Sequence, residues 1–260
     1  MSPVEPKPRV GLLLPPLPTL LGAQRQRRYH RAAEVGEGCF DDEVDPALFA
    51  NDCILARKPL KRPEVAGLHV SQRIEQFEPV TLGEALTAQA RVVEVTARRN
   101  GTLVRARVAF ARADGSVPVV GEIGSLETDA AAMRAKPRSG RPAEADALSD
   151  FVELSRKHPT EARVKDYSFE FPDYLVHFDP QVSDRLGLRS PVAQGLMSFS
   201  YMAEVMARGG PPRRFALWAE FRHPVFWDDR VRLLGRGREY LVLNEAGVIC
   251  STGGCSDLAG

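Results

Sequence analysis

Between Ser190-Pro191 and Gly209-Gly210-Pro211-Pro212 the chain carries a helical stretch with almost no polar face, and that stretch dictates what kind of fold it can join. Val192, Leu196, Met197, Phe199, Tyr201, Met202, Val205 and Met206 leave no side for water, so the helix has to be wrapped by other elements. Ser190 is placed to cap it, Pro191 to occupy the first helical position, and the glycines to stop it. The wrap follows directly, as strand-like segments at Ala216 to Phe221, Val231 to Gly235, Glu239 to Leu243 and Val248 to Ser256. A buried helix followed by antiparallel strands is an α+β module.

The first half has the same kind of sheet. From Ile74 the pattern turns to strand, with segments at Leu86 to Thr96, Thr102 to Phe110 and Val117 to Leu126 separated by Asn100-Gly101 and Asp114-Gly115 turns. Ahead of it, Asp45 to Ala56 reads as a short or imperfect helix. The halves echo one another: Pro79 precedes Leu86 by the same interval that separates Pro224 from Val231, and Gly115 and Gly121 are spaced as Gly247 and Gly253 are. Residues 129–147, rich in Ala, Arg, Pro and Gly without an apolar period, read as a linker between a module at 1–128 and one at 148–260, the second opening on alternating apolar residues around Val164 to Phe171.

Composition narrows the function. With 35 Lys plus Arg against 34 Asp plus Glu, the chain has no basic excess for nucleic acid or an anionic membrane. The cluster Gln24-Arg-Gln-Arg-Arg28 is cancelled by the acidic residues after it and reads as solvated surface. Cys39, Cys53, Cys250 and Cys255 are too few and too unevenly spaced for a disulfide scaffold or a zinc site, which points to a cytoplasmic protein without metal or cofactor. The apolar stretch 11–21 contains Pro15, Pro16 and Pro18, so it is expected to be an extended arm packed on the body rather than a signal helix. His30, His69, His158 and His223 read as isolated structural histidines, and Gly253-Gly254 as a bulge.

The chemistry is concentrated in Tyr167-Ser-Phe-Glu-Phe-Pro-Asp173-Tyr-Leu-Val-His177-Phe-Asp179-Pro180, followed by Gly187-Leu188 and Pro191-Val192-Ala193-Gln194-Gly195. This segment resembles the signature of the MaoC-like (R)-specific enoyl-CoA hydratases: His177, Asp179, Gly187 and the Pro191 to Gly195 block match in type and spacing, as does the interval from Tyr167 to Asp173. The resemblance implies an α+β double hotdog, two fused modules each with a sheet around a central helix, the first helix short or degenerate. It implies an Asp173 and His177 pair acting on a water at the β-carbon of a 2-enoyl thioester. Gly195, with Gln194 and Ala193, is expected to hold the thioester oxygen at the helix N-terminus. The first half lacks the corresponding Asp and His. Asp173 stands one residue closer to His177 than the family pattern has it, and Gln194 replaces a family histidine.

The expected function is therefore reversible hydration of a 2-enoyl thioester on CoA or an acyl carrier. A binding protein with a degenerate site and a hotdog thioesterase are the alternatives. Pairing of the two sheets inside one chain leaves both a monomer and a homodimer open.

Overall fold

A computed structural model describes residues 7–62, 65–129 and 140–258. They form one ten-stranded antiparallel sheet of order β1-β3-β4-β5-β2-β7-β10-β9-β8-β6. The first half supplies β1 (Leu17–Leu20), β2 (Ala66–Gln76), β3 (Ala85–Arg98), β4 (Gly101–Ala111) and β5 (Val119–Thr128), and the second β6 (Val152–Lys157), β7 (Phe215–Phe221), β8 (Val231–Arg236), β9 (Glu239–Leu243) and β10 (Ile249–Asp257). The order reads the same from both edges when β2 is matched with β7, β5 with β10, β4 with β9, β3 with β8 and β1 with β6. The halves meet at β2 and β7, where Ile74 pairs with Leu217 and Arg73 with Trp218. This is a double hotdog.

The sequence echo falls on matching places. Pro79 and Pro224 precede β3 and β8, and Gly115 and Gly247, both at positive φ, precede β5 and β10. The second half is shorter in its central hairpin, with β8 and β9 of 6 and 5 residues against 14 and 11 in β3 and β4.

The described residues also hold five α-helices, α1 (Ala23–Ala33), α2 (Pro46–Arg57), α3 (Glu161–Tyr167), α4 (Pro180–Arg185) and α5 (Gly195–Met206), and three short 3-10 turns. The expected short or imperfect first helix is corrected here: α2 has 12 residues, as α5 has. Asn51 and Asp52 break its apolar pattern in sequence, yet both are buried: Asn51 donates from Nδ2 to the Ala47 carbonyl at 2.9 Å, its Oδ1 staying unmet among the described residues, and Asp52 accepts from Arg25. Asp45 caps α2 by accepting from Ala47 N–H at 2.7 Å, with Pro46 in its first turn.

Val164 to Tyr167 belong to α3 instead of an extended segment, and Ser168 to Glu170 turn out of it, because Thr160 caps the helix and Val164 and Tyr167 are buried. Gln24 to Arg28 is not simply solvated surface either: within α1, Gln26 is buried and Arg25 is only 15% exposed in its side chain. The 11–21 arm does lie extended, Gly11 and Leu14 bonding along β3 and β1 forming its edge pair. Of the linker expected at 129–147, residues 130–139 lie outside the described residues.

Leu196, Met197, Phe199, Tyr201 and Met202 of α5 are all 1% exposed or less, each burial stabilising by about 1.5–3 kcal/mol. Gly253 shows how tightly the sheet grips this helix. A Cβ there would lie 2.6 Å from the Met202 sulfur and closer still to the Trp218 carbonyl. Close approach, not a bulge, explains Gly253-Gly254; the register shift of β10 falls earlier, between Ile249 and Ser251. No helix among the described residues is long and apolar enough to cross a membrane.

Candidate functional site

The two central helices begin in different ways. At the start of α2 every polar group is taken: Asp45 caps Ala47 N–H, Gln26 accepts from Asp45 N–H at 2.8 Å and donates to the Glu43 carbonyl at 3.1 Å, and His30 meets Asp45 Oδ2 at 2.9 Å. His30 is thus half of a His–Asp pair that sequence reading missed, but its aspartate is already committed to the helix end.

The start of α5 is open. Ser190 and Pro191 do not begin the helix, because the chain after them stays extended: Val192 N–H donates to the Val176 carbonyl at 3.1 Å and Ala193 N–H to the Val225 carbonyl at 2.8 Å. Helix begins at Gly195, after an extended Gln194 whose side chain makes no cap. The first-turn N–H groups of a helix have no acceptor within it. Gln194 is 6% exposed, and both polar atoms of its amide are buried without a hydrogen-bond partner among the described residues. Leaving such groups unmet costs about 1–3 kcal/mol each. Ala193 N–H, spent on Val225, is not free to bind an oxygen, so of the three expected contributors Gln194 and Gly195 stand at the opening. The Phe221 ring packs on Gly195 so closely that a Cβ there would meet it at 2.9 Å.

His177 lies in a 3-10 turn, Leu175–His177, next to this end. Its Nδ1 is 2.7 Å from the Val192 carbonyl. A carbonyl only accepts, so Nδ1 carries the proton and Nε2 is left as an acceptor. Burial holds the imidazole down to about 4, opposed by the Val192 bond, so the ring is neutral at pH 7.

Asp173 is elsewhere. Its side chain is 59% exposed and sits 3.4 Å from Lys58 Nζ, while Lys61 reaches its carbonyl oxygen and covers the Tyr174 ring. The structure records no hydrogen bond between Asp173 and His177, and no charged group acts on the His177 titration. Asp179 caps α4 by accepting from Gln181 N–H at 2.8 Å. Glu170 is bound by Arg25 and Tyr29.

Sequence reading also missed a polar corner on the first-half side. His69 of β2 stacks edge-on against Phe221 with ring centres 4.8 Å apart, and burial together with the Arg57 charge lowers it to about 3. No motif marks either residue, because their neighbours come from β5 and β7.

Two histidines held neutral below the ordinary value of about 6.5 make a stability prediction. Between that value and about 4 the unfolded chain binds protons that these rings in the folded chain do not, so stability falls as pH falls. Each contributes about 1.4 kcal/mol per pH unit in that window. Urea melts at pH 6.5 and 4.5 are expected to show a smaller acid loss in His177→Gln and in His69→Gln than in the wild type. Equal losses in all three would show that neither imidazole is held neutral.

No family model matches the sequence, and no curated protein is matched by it. Solved structures are matched over nearly the whole chain. HtdX of Mycobacterium tuberculosis aligns with a TM-score of 0.73 at 17% identity, over 94% of this chain and 99% of that one. A MaoC-like dehydratase from Phytophthora capsici gives 0.67 at 16%, over 94% and 96%. A further Mycobacterium tuberculosis protein, described as a double hotdog, gives 0.65 at 11%, over 96% of each chain. The double hotdog built around α2 and α5 is therefore the fold that MaoC-like dehydratases also have.

Proposed function

We propose that the protein reversibly adds water to a 2-enoyl thioester carried by CoA or an acyl carrier. The observation that supports this best is the open end of α5, where the unpartnered Gln194 amide and the Gly195 N–H stand beside a neutral His177. A thioester oxygen seated there would accept from both groups, and the helix end favours the negative charge that builds on it as water adds. His177 Nε2 takes a proton from the water while the hydroxyl joins the β-carbon, then delivers that proton to the α-carbon and so returns to its neutral form, and a carboxylate accepts a hydrogen bond from the water and orients it.

Asp173 is assigned as that water-orienting carboxylate. Glu170 and Asp179 are committed to other contacts, whereas Asp173 is held by one exposed lysine, a contact worth only about 0–1 kcal/mol. Its solvent-facing position favours a second reading, an acyl-thioester binding protein that has lost turnover.

The test follows loss of the conjugated enoyl absorbance with crotonyl-CoA and longer enoyl-CoAs, alongside thiol release. Hydration by the wild type, reduced about 100-fold or more in Asp173→Asn, is the expected result. Tight acyl-CoA binding with no hydration at any chain length would establish the second reading. Thiol release without hydration would make the protein a thioesterase.

A further inference from the structure

Arg57 closes α2 on the side facing the second half. Among the described residues its one hydrogen bond runs from Nη1 to the Ser125 hydroxyl of β5, and its Nε is buried with no partner. No carboxylate forms an ion pair with it among those residues. The buried carboxylate of Glu127 is near enough for its charge to act on Arg57, but it is engaged directly by Arg62 at 2.5 Å and leaves the Arg57 fork without a hydrogen-bonded anion. His69, whose titration feels the Arg57 charge, is neutral and donates from Nε2 to the Ser71 carbonyl at 3.1 Å. A guanidinium offers five N–H donors in a planar fork suited to an oxyanion, and one hydroxyl does not satisfy it. Buried charges of this type are normally paired.

The position of Arg57 says what would pair it. Its charge also reaches Tyr174, on the turn that leads to His177. His69 stacks on Phe221, and Phe221 lies against Gly195 at the open helix end. An acyl chain whose thioester oxygen sits at Gly195 and which runs along Phe221 ends at this corner. The group required there is an oxyanion, either a carboxylate on the acyl chain or a phosphate of the carrier. Lys58, next in the chain, is exposed and could meet a carrier phosphate at the surface, whereas the Arg57 Nε is sealed inside.

Building on the acyl-thioester reading above, we propose that Arg57 recognises a carboxylate at the far end of the acyl group, so that the substrate is the thioester of a dicarboxylic acid. Glutaryl-CoA and valeryl-CoA share carrier and chain length and differ in the terminal carboxylate, and neither can be hydrated. Calorimetric titration of both into the wild type, Arg57→Met and Arg57→Lys tests the assignment without relying on turnover.

The wild type is expected to bind glutaryl-CoA at least about tenfold more tightly. Arg57→Met removes that preference and leaves valeryl-CoA affinity in place, while Arg57→Lys keeps part of it. The Met variant melts at or above the wild-type temperature, because an apolar side chain of similar length replaces a desolvated charge. Equal binding of the two thioesters by the wild type would overturn the inference. Equal weakening of both in Arg57→Met would overturn it too, in favour of a grip on the carrier phosphate. Binding of neither thioester would instead bring down the acyl-thioester reading, and this inference with it.

Discussion

Replacing His177 with alanine is expected to lower kcat for enoyl-thioester hydration by about 10²- to 10⁴-fold while leaving acyl-CoA affinity nearly unchanged. The asymmetry follows from the site. Under the proposed function Gly195 and Gln194 would hold the thioester, whereas the free Nε2 of His177 would act on the water, so its loss would be felt in the transition state rather than in binding. The pH profile separates this role from a structural one. The base must be neutral to work, and burial keeps it neutral down to about 4, so the acid limb of kcat/KM is expected near 4 and not near the ordinary value of about 6.5. His177→Gln can still donate a hydrogen bond toward the Val192 carbonyl but cannot take a proton. If it kept wild-type turnover, His177 would be only a brace between its own turn and the segment leading to Gln194.

What could be read from the chain before its structure divides along the range of the forces involved. The apolar run of α5 and the glycine and proline signals around the strands are local, and they were legible. The start of α5 was not, because Pro191 imitates a first helical residue while Val192 and Ala193 are held extended by Val176 and Val225, which are remote in sequence or belong to another segment. α2 looked imperfect because its polar residues find buried partners only in the folded chain, and α1 was hidden because Arg25 and Gln26 point inward. At the site, His177, Gln194 and Gly195 were singled out by the resemblance to the MaoC-like signature and not by composition or periodicity. The solvent-facing place of Asp173 goes with its contact to Lys58 from the other half, and the corner of Arg57 and His69 depends on strand packing that no short motif encodes.

The buried ionic cluster that ties the halves together carries the other large effect. Arg25 of α1 reaches Asp52 of α2 at 2.5 Å and Glu170, beyond α3, at 2.8 Å; the Thr19 hydroxyl donates to Asp52 and the Tyr29 hydroxyl to Glu170 at 2.6 Å. Asp52 is 1% exposed, and burial pushes its carboxyl up while Arg25 opposes that push. Arg25→Met would leave this carboxylate inside with only Thr19, a loss expected to cost about 3–5 kcal/mol of stability at pH 7. The deficit should shrink on acidification. Without Arg25 the folded-state Asp52 rises further above its unfolded value, so the folded variant takes up a proton before the unfolded chain does, and its stability gains on the wild type as pH falls from 7 toward 5. Denaturant melts of the wild type, Arg25→Met and Arg25→Met/Asp52→Asn at pH 7 and pH 5 measure both effects. The double variant is expected to recover much of the loss at pH 7 and to lose the extra pH dependence, since a neutral amide in place of the carboxylate removes the stranded charge. A double variant as unstable as Arg25→Met would mean that the arginine acts through its packing on Tyr29 and not through its charge.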